Sequence, residues 1–116
     1  MNVDAAKLVG MFVIEVGTRQ AWPFIGFCDD TGIKARELRL YLDAPWAVGG
    51  TSGDAVAHEA WMVSALEINN RAVSHVSVDA DSNLRIDLFN APSLTVSGEP
   101  TASTVGEPWW FGELNG

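Results

Sequence analysis

Alternating apolar and polar residues predict the strands that frame this fold. Residues 37–43 place three leucines on one face and charged residues together with Tyr41 on the other, a pattern typical of a half-buried strand. Residues 72–78 and 84–88 predict a second strand pair, joined by a polar turn at 79–83. The chain is therefore expected to be rich in strands.

Apolar runs predict two earlier strands. Met11 to Val16 is rich in β-branched residues and predicts a buried strand, with Gly17 to Gln20 as the following turn. Trp22 to Cys28 predicts the next strand, and Pro23 confines its start to a sheet edge or a bulge. The apolar run at 8–14 is too short to cross a bilayer and is interpreted as a strand rather than a signal segment.

Two segments predict helices. Asp4 as N-cap and Gly10 as the C′ residue bracket a helix of one or two turns. Asp54 begins a longer helix to about Leu66, and its predicted core stripe consists of Val56, Ala60, Met62, Val63 and Leu66. Residues 61–68 also fit a strand, because their propensities conflict. Residues 48–53, rich in glycine, are expected to form a flexible linker.

The strand patterns recur along the chain. Val73 lies 60 positions after Val13. Leu94-x-Val96 corresponds to the leucine strand at 38–42, and Pro108-Trp109 corresponds to Pro45-Trp46. We therefore expect one domain over 1–116, with repeat 1 at about 4–48 and repeat 2 at about 54–111. The predicted fold class is α+β: a duplicated helix-plus-three-strand unit, mostly antiparallel, strand-dominated and pseudo-two-fold. Whether the halves form one sheet or two stays open.

These motifs resemble a class of small, mostly actinobacterial proteins of unknown function. The resemblance rests on Val13 and Val16, Leu38 to Leu42, Pro45-Trp46, and their counterparts Val73, Val76, Leu94, Val96 and Pro108-Trp109. It implies the duplicated strand unit closed by a Pro-Trp motif. It implies no particular activity.

Charge and cysteine content narrow the functional classes. The chain has 116 residues and a net charge of −8, from 15 acidic and 7 basic residues. This balance argues against nucleic-acid binding and against anionic membrane surfaces, and it favours a basic partner. The single cysteine, Cys28, excludes an internal disulfide and a zinc site of paired thiolates, so a cytoplasmic setting is expected.

Candidate catalytic and metal-binding residues do not form a complete set. The segment 79–83 begins like a calcium loop, but Leu84 and Asn90 stand where glycine and a bidentate glutamate are required. His58 lacks the second histidine of a zincin, and a nucleophilic Cys28–His75 pair requires adjacent strands. We therefore predict no catalytic residue, no cofactor and no metal site.

The five tryptophans lead to the functional hypothesis. Trp46 and Trp109 recur between the repeats and are expected to pack in the core, whereas Trp109 and Trp110 must face opposite sides of one strand. Partner binding is therefore assigned to these residues: Trp110, Phe111, Glu107, Asp29 and Asp30.

Three functional hypotheses remain open. The first is a non-catalytic acidic protein-binding module, such as an inhibitor or an immunity protein for a basic enzyme. The second is a small enzyme or ligand carrier with a tryptophan-lined pocket between the halves. The third is a homo-oligomeric subunit that associates through an edge strand.

Overall fold

The computed structural model describes residues 5–29 and 37–113, which form two antiparallel sheets and short helices. In this part of the chain the strands are β1 Phe12–Arg19, β2 Trp22–Cys28, β3 Glu37–Leu42, β4 Trp46–Val48, β5 Thr51–Gly53, β6 Val73–Val78, β7 Leu84–Leu88, β8 Leu94–Val96 and β9 Trp109–Glu113. The helices are α1 His58–Ala65 and two 3₁₀ segments, Ala5–Leu8 and Leu66–Ile68. Asp30 and the predicted cap Asp4 lie outside the described residues.

The first sheet has the strand order β1-β2-β3-β9. Strand β1 continues through the predicted turn to Arg19, and the chain reverses in the two-residue loop of Gln20 and Ala21. Gln20 adopts a φ of 57°, as the tight turns of two-residue hairpins require. Strand β3 has the predicted alternation, with Leu38, Leu40 and Leu42 fully buried.

The second sheet has the strand order β5-β4-β8-β7-β6. The predicted linker at 48–53 is wrong, because this segment is part of the β4–β5 hairpin. Gly49 takes a φ of 59° at the turn, so the glycines serve the hairpin rather than a flexible connection. The predicted strand pair at 72–78 and 84–88 is confirmed as β6 and β7.

Both sheets contribute to a single hydrophobic core. Trp46, Trp61 and Trp109 are buried in it, and each indole N–H donates to a backbone carbonyl, of Asp54, Gly17 and Ser82 respectively. The sheets also meet directly, since Gly10 and Val13 donate backbone hydrogen bonds to the segment that leads into β6. These tryptophans therefore satisfy their polar atoms within the fold.

Helix α1 buries a different face from the one predicted. Trp61, Ser64 and Ala65 are buried, whereas Val56, Val63 and Leu66 of the predicted core stripe are 68%, 67% and 58% exposed. The helix begins at His58 rather than at Asp54, whose carboxylate instead accepts the N–H of Val56. The helix prediction is confirmed over 58–65. Of the predicted core stripe, Ala60 and Met62 are half-buried and pack against the core, whereas the assignment of Val56, Val63 and Leu66 to the buried face is wrong.

The predicted α+β fold class, a duplicated helix-plus-three-strand unit with a pseudo-two-fold, is wrong. The structure is mostly β, with one short α-helix in the described part of the chain. The Pro-Trp segments also do not close their own units. Trp46 pairs with Val96 in the second sheet, and Trp109 pairs with Leu42 in the first. Strand β4, which follows β3 in the chain, thus belongs to the second sheet, and strand β9, which follows β8, belongs to the first.

A narrower regularity does recur between the sheets. Strands β1–β3 and β6–β8 are both antiparallel meanders. Their first strands carry a bulge at the same relative position, between Val13 and Glu15 and between Val73 and His75. A bulge turns a strand and increases its local twist. The spacing of 60 residues therefore identifies two bulged strands.

Candidate functional site

The outer face of the first sheet carries a contiguous set of aromatic side chains. Because neighbouring residues of a strand point to opposite faces, Ile25, Leu40 and Trp109 point into the core and their neighbours lie on the other face of the sheet. On that face Phe24 is buried beneath its neighbours, whereas Tyr41 and Trp110 are half-buried. We call the outer set the aromatic face, and it consists of Trp22, Phe24, Tyr41 and Trp110.

The rings of the aromatic face contact one another in sequence across three strands. Tyr41 and Trp110 are stacked, with ring centroids 5.5 Å apart and an interplanar angle of 17°. Trp22 meets Trp110 edge to face at 5.2 Å, and Phe24 lies 6.0 Å from Tyr41. The first two pairs have the stacked and T-shaped geometries that aromatic rings prefer, and the Phe24–Tyr41 pair is tilted at 51°. The rings therefore hold one another in fixed orientations before any partner binds.

Glycines make room for this layer to lie close to the sheet. A Cβ at Gly17 would stand 3.1 Å from the ring of Phe24, and a Cβ at Gly26 would stand 2.6 Å from Cγ of Glu15. Both contacts are tighter than ordinary van der Waals distance. Glycine at these two positions therefore leaves room for the side chains of Phe24 and Glu15, which a larger residue would force to shift.

A charged pair lies against the aromatic face. Arg39 donates from Nε and Nη2 to Oε1 of Glu15, at 3.1 and 3.0 Å, and its Cζ lies 4.3 Å from the ring centroid of Phe24. The pKa of Arg39 is raised above its ordinary value, chiefly by a hydrogen bond with the Tyr41 side chain and, against desolvation, by Glu15. The guanidinium is thus a fixed cation stacked on an aromatic ring.

The structure separates the residues predicted to bind a partner. Trp110 belongs to the aromatic face, whereas Phe111 lies on the opposite side of β9 and packs against the core. Asp29 follows the end of β2, near Glu37, and Glu107 precedes β9 at the other end of the sheet. Asp30 lies outside the described residues. Of the described residues in this predicted set, only Trp110 lies on the aromatic face.

Sequence reasoning missed Trp22, Phe24 and Arg39 as members of this surface. One signal was present, because the alternation of β3 had already placed Tyr41 on the face opposite the leucines. The alternation gave no indication that β9 pairs with β3. This pairing joins residues about 70 positions apart and places Trp110 beside Tyr41.

A polar cluster occupies the outer face of the second sheet. Asp87 accepts hydrogen bonds from Ser93 Oγ at 2.5 Å and Arg85 Nε at 2.9 Å, and His75 Nδ1 lies 3.5 Å from its other oxygen. The carboxylate is therefore at the centre, whereas a catalytic triad needs the imidazole between serine and acid. A nucleophilic Cys28–His75 pair would require adjacent strands, and these residues belong to β2 and β6 of different sheets.

The calcium-like segment forms the predicted hairpin turn. Oδ1 of Asp79 accepts the N–H groups of Asp81 and Asn83, and Oδ2 accepts the Asn83 amide, each at 2.9 Å. These bonds, led by the Asn83 side chain, lower the pKa of Asp79. The carboxylate of Asp79 thus stabilises the turn to which it belongs. Across residues 5–29 and 37–113, no three His, Cys, Asp or Glu side chains converge as metal ligands.

A shallow depression of 730 Å³ lies along α1 and is lined in part by Val56, His58, Glu59 and Val63. It coincides with the exposed apolar stripe of the helix. In the described residues, no helix is both long and apolar enough to cross a membrane. No family model, curated protein or solved structure matches the chain.

Proposed function

We propose that this protein is a non-catalytic protein-binding module and that the aromatic face is its contact surface. The observation that carries the proposal is the contiguous arrangement of two tryptophans, a tyrosine and an arginine on an outer sheet face. Tryptophan, tyrosine and arginine are the residue types that dominate the binding energy of protein interfaces. Their mutual contacts also reduce the entropy that binding would otherwise cost.

The proposed partner is a basic protein. The net charge of −8 accelerates encounter with a positively charged surface and disfavours other acidic proteins. An inhibitor or immunity protein that masks a basic enzyme is the functional class that matches this chemistry. A cytoplasmic location is part of the proposal, and the single cysteine supports it.

The test compares the whole chain with two paired variants. In the face variant, Trp22→Ala and Trp110→Ala remove two half-buried rings of the aromatic face. In the control, Val63→Ala and Leu66→Ala remove exposed apolar side chains from α1 and from the 3₁₀ segment that follows it. Proteins captured from the source cells by the wild type are purified, and their binding to the wild type, the face variant and the control is measured by calorimetry and stopped flow. Circular dichroism establishes that both variants are folded.

We expect the face variant to weaken binding by about 100-fold or more, since two hot-spot residues contribute about 2 kcal/mol each. We also expect the association rate to fall steeply between about 50 and 300 mM salt. A partner that binds the face variant and the wild type equally, or whose association ignores salt, contradicts the proposal.

A further inference from the structure

Strand β9 is the last strand of the first sheet as the described residues form it. It pairs with β3 from Trp109 opposite Leu42 to Glu113 opposite Leu38, and within the described residues no second strand pairs with it. The N–H of Asp43 donates to the carbonyl of Pro108 at 2.7 Å.

That bond fixes which backbone groups point outward. In an antiparallel ladder, hydrogen-bonded and non-hydrogen-bonded pairs alternate. Because Pro108 is opposite Asp43 in a bonded pair, Trp110 and Gly112 bond to β3, and the N–H and C=O groups of Phe111 and Glu113 point away from the sheet.

The other sheet edges of the described chain carry features that hinder strand pairing. Strand β1 is bulged, its first residues bond to residues 70–73, and α1 packs against it. Strand β6 is also bulged, and Val73 at its start bonds to Gly10 and Met11. Strand β5 has only three residues and packs against α1. Short strands, bulges and covering elements are the usual means of blocking an edge.

Strand β9 has no bulge in its pairing with β3, and with five residues it is longer than β5. Its register with β3 is regular over five residues, and it contains neither proline nor lysine. Its sequence, Trp-Trp-Phe-Gly-Glu, has three aromatic residues of high strand propensity. We propose that β9 accepts an extended segment of the partner protein as a fifth strand of the first sheet. This inference rests on the proposed function and specifies how the partner binds.

The surroundings of β9 define the segment that would fit. An added strand places alternate side chains on the outer face beside Trp110, where an apolar side chain extends the row of rings. The net charge of −8 favours lysine or arginine at the remaining positions of the segment. A second copy of this chain brings its own charge of −8, so charge favours a basic partner over self-association.

The test is amide hydrogen exchange, followed by NMR on the full-length, ¹⁵N-labelled chain. The probe is a nine-residue peptide of alternating valine and lysine, and the matched control alternates valine and glutamate. We expect the basic peptide to slow exchange at the Phe111 and Glu113 amides by at least about tenfold, because these groups become hydrogen-bonded. The Trp110 and Gly112 amides, already bonded to β3, serve as internal references.

Several results overturn the inference. One is equal protection by the acidic peptide, and another is no change at Phe111 and Glu113. A third is protection that appears without peptide when the chain alone is concentrated, which identifies a second copy as the occupant. If a partner captured by the wild type depends on the aromatic face but leaves the Phe111 amide unprotected when it binds, the strand-addition inference fails and the proposed function stands. If no partner depends on the aromatic face, the proposed function fails.

Discussion

The indole nitrogen of Trp61 donates a hydrogen bond to the carbonyl oxygen of Gly17 at 2.9 Å, linking α1 to β1. Trp61 is fully buried and also meets Trp46 edge to face at 5.2 Å. One side chain therefore connects the helix to the first sheet and to a strand of the second.

Replacing Trp61 with phenylalanine removes this donor and part of the buried volume. We expect the free energy of unfolding to fall by about 1–3 kcal/mol, from the lost hydrogen bond and the small cavity. Urea denaturation measures the loss. Trp22→Phe on the outer face is the control, and a similar loss in both variants would show that the Gly17 bond contributes nothing specific.

Two glycines differ in what surrounds them, and substitutions there are expected to differ accordingly. A Cβ at Gly98 would lie 2.3 Å from the backbone of Asp81 and Ser82, whereas a Cβ at Gly106 meets nothing within 4 Å. Gly98→Ala should therefore destabilise the protein by about 2 kcal/mol or more, and Gly106→Ala should be nearly neutral. Thermal and urea denaturation of both variants provide the comparison. Equal stabilities would contradict the packing described at the 79–83 turn.

Asp87 predicts a pH dependence of stability. The hydrogen bond from Ser93, followed by Arg85 and the charge of His75, lowers the pKa of Asp87 in the folded protein. A lowered pKa contributes stability above the unfolded value of about 3.9 and loses it as the pH falls through the folded value.

Substitution of Asp87 by asparagine tests this dependence. The wild type should exceed the Asp87→Asn variant in stability by under about 1 kcal/mol at pH 6, because the carboxylate is partly exposed and solvent screens the charges. The difference should vanish as the pH approaches about 2. Urea midpoints from pH 2 to 7 measure it, and a difference that stays constant with pH would exclude a role for the carboxylate charge.

The stack of Tyr41 on Trp110 predicts a measurable coupling. A double-mutant cycle with Tyr41→Ala and Trp110→Ala should give a coupling free energy of about 0.5–1.5 kcal/mol, the range found for aromatic pairs in contact. The same cycle between Trp110 and Val63, which lies on α1, is the control and should be additive. Additivity in both cycles would mean that the aromatic face is not a coupled unit.

Local patterns predicted the strands that have a clear periodicity. The leucines of β3 and the segment 22–28 were placed correctly, because alternation and apolar runs report burial directly. The face of α1 was not predictable in this way. The helix is apolar on nearly all sides, so Trp61 and the stripe of Val56 and Val63 were equally plausible core faces, and tertiary packing selected the former.

The fold class and the candidate site depended on long-range pairing that periodicity does not encode. Pro45-Trp46 and Pro108-Trp109 were recognised as related segments, but nothing local indicates that each pairs in the sheet of the other part. The sequence places Trp110 on the outer face because its neighbour Trp109 is expected to face the core. That Trp22 and Tyr41 contact Trp110 can be inferred only when β9 is known to pair with β3.

The exchange of β4 and β9 between the sheets affects how the chain can be made. Of the described strands, β9 is the last to be synthesised, yet it completes the sheet that begins with β1. Until β9 emerges, the edge of β3 has no neighbour on that side, and Tyr41 lacks the ring that stacks on it. The surface proposed to bind other proteins therefore cannot form until the β9 segment has been synthesised.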